Sequence, residues 1–254
     1  ELLCAGIPVP PGFALSAATF TDFAAGARLA PVIAGALTSA GDGVDGLRAA
    51  AERIRAAIDA AEVPPSLVSE VTAHYAQLAG GDAAVAVRSS ALGEDSAEAT
   101  FAGQQETILW VRGAGDVIDA IRACWASLYS AEAISYRRRL GGSEPAMGVT
   151  VQQMVDAAVS GVMFTCNPVS GDRSMVAINA AWGLGLAVVG GEVTPDDLLV
   201  SKVTGEVVRE TIADKHLQYV PASSGRGTAR IAVDEARRRA RCLDAPAVTR
   251  LLEL

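Results

Sequence analysis

The chain has 254 residues, half of them hydrophobic, with 21 basic and 29 acidic side chains and a net charge of −8. That balance argues against a nucleic-acid or anionic-membrane partner held by bulk electrostatics, and the length suits either one large α/β domain or two lobes. Cys4, Cys124, Cys166 and Cys242 lie far apart, with no pair at zinc-knuckle or CxxC spacing, so they read as reduced thiols. With no signal peptide and no uninterrupted apolar run of membrane-spanning length, the expectation is a soluble, cytoplasmic protein without a membrane partner.

In chain order, Glu1–Gly6 reads as the end of a helix. The prolines of Ile7–Leu15 force an extended path into a short strand. Ser16 is a suitable N-cap for a helix through Phe20 and Phe23. Residues 29–43 are rich in alanine and glycine and show no decisive period. Apolar positions from Val44 to Ala61 recur at helical spacing, and Pro64-Pro65-Ser66 opens another helix, Leu67–Leu78, stopped by Gly80-Gly81. Ala83–Val87 and Thr107–Val111 read as strands. Asp116 is placed to cap a helix through Tyr129, and Glu132–Leu140 forms a further helix ending in Arg137-Arg138-Arg139. Those basic residues complement the helix dipole and read as a solvated helix end.

The second half is strand-rich, with extended segments at Val149–Val155, Ser160–Thr165, Met175–Ala181, Leu198–Val203 and Val207–Ile212. Thr204-Gly205 sets a tight turn between the last two, which therefore form a hairpin. A loop at Ser223–Gly227 precedes a strand near Ile231, and from Asp234 the chain is charged, either helical or mobile. Ala247–Leu254 reads as a helix still in progress, so both ends look cut. The architecture expected is a helix-rich first lobe and a largely antiparallel sheet in the second, with a cleft between lobes as a usual place for a small molecule.

One stretch, Ala86 to Thr107, carries the most chemistry. It joins a buried strand, a small-residue polar loop and a second strand, with Arg88 near the first strand's end. A cation facing free backbone N–H groups suits a polyphosphate. A solvated loop with a salt-bridged arginine fits the same residues.

Six segments occur in one order: Gly6-Ile-Pro-Val-Pro-Pro-Gly-Phe13, Val87-Arg-Ser-Ser90, Thr100-Phe-Ala-Gly-Gln-Gln-Glu-Thr107, Val151-Gln-Gln-Met-Val155, Ser160-Gly-Val-Met-Phe-Thr165 with Asn167-Pro168, and Trp182-Gly-Leu-Gly185 followed by Val193-Thr-Pro-Asp196. Together they resemble the N-terminal nucleotide-binding domain of the phosphoenolpyruvate synthase and pyruvate phosphate dikinase family, which includes rifampin phosphotransferase and phenylphosphate synthase. The resemblance covers nearly the whole chain. It implies an α+β ATP-grasp fold, with a first lobe at 1–112 that includes the phosphate-gripping loop and a strand-rich second lobe at 113–254. It also implies ATP with Mg²⁺ as ligands. Phosphoryl transfer would go to a histidine on a separate swivelling domain and then to an acceptor-binding domain, with pyruvate the default acceptor.

By the same resemblance, Arg88 contacts the nucleotide phosphates. Gly103 belongs to the loop that closes over them, where a missing side chain lets the backbone approach. Thr107 contacts the nucleotide, and Gln152 lies on a lobe-two strand beside the adenine pocket. The loop from Ser96 to Gly103 is expected to order when nucleotide binds. A lysine in a Gly-Gly-Lys-Gly segment before Gly6, and a glutamate and glutamine for metal and nucleotide beyond Leu254, belong to the family pattern and fall outside this sequence. Leu186 stands where relatives commonly have glutamate. These departures keep a second expectation open, a degenerate nucleotide-binding module. Gly183-Leu-Gly185 reads as a structural turn, Glu94-Asp95 and Asp196-Asp197 as solvated acids, and His74 and His216 as structural or surface residues rather than phosphoacceptors. No metal ligand is assigned.

Overall fold

The computed structural model describes residues 3–41, 43–78, 81–91, 107–140 and 146–254. Contacts divide the chain into two compact units, Pro10–Met154, and Val155–Leu254 together with Glu1–Val9. The boundary expected after residue 112 does not coincide with this division, because the helices and the strand that follow it pack back onto the earlier elements.

The unit Pro10–Met154 comprises β1 (Gly12–Leu15), α1 (Ala17–Gly26), α2 (Ala30–Ser39), α3 (Val44–Ala60), α4 (Pro65–Ala76), β2 (Val85–Ala91), β3 (Thr107–Val111), α5 (Ala114–Ser127), α6 (Ala131–Leu140) and β4 (Met147–Gln153). Its sheet runs β1-β4-β2-β3, antiparallel throughout, so the last strand of the unit sits between two of its first three. Val85, Val87, Val149 and Val151 are buried on one face. They join a core with Ile54 and Ile58 of α3, Ile121 of α5, and Trp125, whose ring lies 4.9 Å from Phe23 and 5.7 Å from Phe20. The helical period expected for α3 is met by buried Leu47, Ala50, Ile54 and Ile58.

Local details depart from expectation. Ser16 has extended backbone but makes no cap bond; its Oγ lies 3.3 Å from Thr19 Oγ1. α5 starts from Gly113, at φ +89°, so Asp116 falls inside the first turn. The Gly113 N–H donates to Tyr75 Oη at 2.9 Å, and that hydroxyl donates to the Ala83 carbonyl at 2.6 Å, which ties α4 to both neighbours. The undecided segment 29–43 contains α2. Arg138 donates to the Leu37 carbonyl at 2.6 Å and to the Gly41 carbonyl, so this arginine closes the end of α2 and is not merely a solvated helix end.

The unit with Val155–Leu254 comprises β5 (Val159–Phe164), β6 (Met175–Trp182), α7 (Leu186–Val189), β7 (Asp196–Ser201), β8 (Val207–Thr211), β9 (Leu217–Pro221), β10 (Thr228–Ala232), α8 (Glu235–Arg238) and α9 (Ala245–Leu252). β5-β6-β7-β8 form an antiparallel sheet, and β9 pairs with β10 as a separate hairpin. Val248 of α9 packs with Val176, Ile178, Leu198 and Val200 on one face of the sheet. The fold is thus α+β, with a helix-rich unit and a strand-rich, antiparallel one. No single described helix is long and apolar enough to cross a membrane; α1 and α2 reach that length only as a pair bent by 91°.

Candidate functional site

Antiparallel registration places directly opposed residues on the same side of a sheet. Across the four strands of the first unit, Arg88 on β2 opposes Thr107 on β3 and Thr150 on β4, and Thr150 opposes Ala14 on β1. One row therefore reads Ala14, Thr150, Arg88, Thr107, on the face opposite the buried valines. Arg88 and Thr107 are exposed and Thr150 is half-buried. Toward one end of this face lies Ser90, opposite Gly148; toward the other lie Ala86 and Gly12, both opposite Gln152. The face is buried at Ala86 and open at Arg88 and Ser90. Between Val85 and Val87 the β2–β3 register shifts, and Trp110 nearby has φ +58°, a left-handed conformation that a bulky residue adopts only under constraint.

Arg88 makes no hydrogen bond or ion pair among the described residues. A guanidinium on an internal strand, beside two hydroxyls and without a carboxylate, is suited to a planar oxyanion such as phosphate. Gln152 shares this sheet face, and its Nε2 donates to the Pro10 carbonyl at 3.2 Å, leaving Oε1 as an acceptor. β4 was expected in the second lobe; it belongs to the same unit as Arg88, because it pairs with β1 and β2. The sheet therefore brings Arg88, Thr107 and Gln152 together. Gly103, with Gln104, Gln105, Glu94, Asp95 and the loop from Ser96, lies outside the described residues.

The remaining candidates are structural. Gly183 has φ +74°, and a Cβ there would fall 2.4 Å from the Tyr219 carbonyl oxygen, so the glycine permits β9 to approach. Leu184 N–H donates to that same oxygen at 2.8 Å, and Leu186 opens α7. Asp196 corrects the reading of a solvated acid pair. It is fully buried and ion-paired with the equally buried Lys215, and it accepts from the backbone N–H groups of Ala213 and Cys242 at 3.0 Å each. Burial, and then the hydrogen bond to Asp196, push the Cys242 thiol up to about 12. Asp197, on the opposite face of β7, accepts from Asn179 at 3.0 Å and Arg209 at 3.1 Å. His74 stacks on Phe13 with ring centroids 5.5 Å apart, and His216 is exposed.

Only the strand register places Thr150 beside Arg88; nothing local in the sequence singles it out. As for Mg²⁺, no group of three or more His, Cys, Asp or Glu among the described residues could hold a metal ion. Among the described residues the one fully buried carboxylate, Asp196, is already committed to Lys215 and two N–H groups.

Residues 1–254 match the family model described as pyruvate phosphate dikinase, AMP/ATP-binding domain. A probable phosphoenolpyruvate synthase of Methanothermobacter thermautotrophicus is 43% identical over 227 residues, covering 86% of this chain and 33% of that protein. The phosphoenolpyruvate synthase of Pyrococcus furiosus is 38% identical over 275 residues, covering 92% of this chain and 34% of that protein. Prodigiosin synthesizing transferase PigC of Serratia marcescens is 37% identical over 249 residues, covering 98% of this chain and 26% of that protein. The chain spans about a third or less of the length of these curated relatives.

Proposed function

The chain belongs to the family of pyruvate phosphate dikinase AMP/ATP-binding domains, and from that premise we propose that the sheet face carrying Arg88 binds ATP for phosphoryl transfer. Arg88 carries this reading: an exposed cation on an internal strand, with no partner among the described residues and a threonine on each side. It holds the phosphates, Thr107 adds a hydroxyl beside it, and Gly103 supplies backbone from the loop between the two strands. Gln152 meets the base. Phosphoryl transfer depends chiefly on positioning and charge neutralisation, which is what such a row offers.

The phosphoryl group passes from ATP to a histidine on a separate swivelling domain, and an acceptor-binding domain receives it. Relatives named phosphoenolpyruvate synthase favour pyruvate as the acceptor. A rifamycin or a phenol is the alternative acceptor that the family resemblance implies, and a relative named for prodigiosin synthesis is also matched over nearly the whole chain. Leu186, where relatives commonly have glutamate, favours a second reading, a nucleotide-binding module without transfer.

Calorimetry with ATP on the full-length protein tests the site. Loss of a charge-assisted contact is worth about 1.5–3 kcal/mol, so Arg88→Ala is expected to weaken binding by roughly ten- to a hundredfold. Unchanged affinity would remove Arg88 from the site. Labelling with radioactive ATP separates the two readings: an acid-labile, alkali-stable phosphoprotein supports transfer, and binding without label supports the module.

A further inference from the structure

We infer that Thr150 is a further nucleotide-binding residue, its hydroxyl contacting the phosphate chain from the side of Arg88 opposite Thr107; this rests on the ATP reading above. Arg88 has two cross-strand neighbours, Thr107 on β3 and Thr150 on β4. Side chains directly opposed across an antiparallel pair have Cβ atoms about 5 Å apart. A phosphate gripped by the guanidinium is therefore within reach of both hydroxyls. Thr150 is half-buried, and its hydroxyl has no hydrogen-bond partner among the described residues. Its other neighbour is Ala14, which offers no competing polar group.

Direction along the strand supports the same assignment. Thr150 lies two residues from Gln152 on the same face, about 7 Å along the strand. Beyond it, Gly148 opposes Ser90. From the base-facing glutamine, the sheet thus presents Thr150 with Arg88 and Thr107 in one row, then Ser90, a series of hydroxyls beside one cation. A nucleotide laid along β4 with its base at Gln152 has its phosphates over Thr150. Ala86 and Gly12, opposite Gln152, contribute only small side chains at that end.

The test is calorimetry on the full-length protein with ATP and with adenosine, comparing wild type, Thr150→Val, Thr150→Ser and Arg88→Ala. Valine keeps the branched shape that suits a strand and removes only the hydroxyl. Thr150→Val is expected to weaken ATP about three- to tenfold, with adenosine unchanged and Thr150→Ser close to wild type. A structural role would move ATP and adenosine together and would not be restored by serine; that outcome overturns the assignment. Wild-type affinity in Thr150→Val alongside a large loss in Arg88→Ala also overturns it and leaves the ATP site standing. If neither variant changes ATP binding, the face is not the phosphate site and both readings fall.

Discussion

Replacing Lys215 by methionine isolates the buried ion pair of the strand-rich unit. The substitution keeps most of the buried stem and strands the Asp196 carboxylate, which retains the N–H groups of Ala213 and Cys242 but loses its cation. Leaving a buried charge unpaired costs about 3–5 kcal/mol, and the two remaining donors argue for the lower end, about 3 kcal/mol. Cys242 reports the loss directly, because its own backbone N–H is bonded to that carboxylate and its side chain is buried. With its thiol held up to about 12, the native state at pH 8 offers thiolate at only about one part in ten thousand. Labelling therefore proceeds through local opening, and a loss of about 3 kcal/mol accelerates it roughly a hundredfold. Removing the nearby cation also removes an influence that lowers the thiol, so reaction from the closed state would slow. Exposed Cys4 serves as an unchanged fast control, and Cys124, buried in the other unit, as an unchanged slow one. Acceleration of Cys242 by less than about threefold would refute the unpaired-charge argument. Equal acceleration of Cys124 would show global unfolding instead.

The same thiol makes stability pH-dependent. An unfolded cysteine titrates at about 8.5, so between there and about 12 the unfolded chain binds fewer protons and stability falls as pH rises; Cys242→Ala is expected to flatten that alkaline limb in denaturant titrations. Arg138→Ala removes two bonds to the carbonyl end of α2 and is expected to cost about 1 kcal/mol, with faster exchange of α2 amides and unchanged exchange in β6 and β7. Gly12→Ala would place a Cβ 2.4 Å from the Val151 carbonyl oxygen. Parting β1 from β4 is expected to lower stability by about 1–3 kcal/mol and to weaken ATP binding with it.

Elements with a clean period were legible in the sequence, and those held by distant partners were not. α3 announces itself by Leu47, Ala50, Ile54 and Ile58. The β7–β8 hairpin is readable because Gly205, at φ +72°, accepts the turn that Thr204-Gly205 implies. α2 has a single buried residue, Ala36, hence no stripe to read, and its end is fixed by an arginine about a hundred positions away. β9 ends in Pro221, its one strand partner among the described residues is β10, and its bridges at Tyr219 reach back to Gly183 and Leu184, so a short run beside a breaker carried too little signal. Asp196 and Asp197 look alike in sequence; strand alternation buries the first against Lys215, 19 positions later, and turns the second to the other face. The placement of β4 rests on pairing with β1, and Gln152 reaches Pro10 across 142 positions. Nothing local in the sequence encodes that.

An arginine without a partner is by itself no signal. Arg48, Arg53 and Arg55 on α3 are also exposed and make no ion pair among the described residues, and they are ordinary solvated side chains on a helix flank. Helical geometry lets each of them move through water at little cost. Arg88 differs in where its Cα is fixed. It sits on an internal strand, hydrogen-bonded on both edges, so the direction of the side chain is set by the pleat and its neighbours by the register. Those neighbours are two threonines; a carboxylate at either position would pair with the guanidinium and neutralise it. The stability of the sheet does not require a cation at that point, since the buried valines on the reverse face hold β2 in place. What the cation adds is a positive charge rooted between two hydroxyls, an arrangement suited to the anion we propose. The proposed phosphate site depends on the register of three strands, and a substitution that shifts β2 against β4 while leaving Arg88 intact is expected to weaken ATP binding as much as Arg88→Ala, by calorimetry.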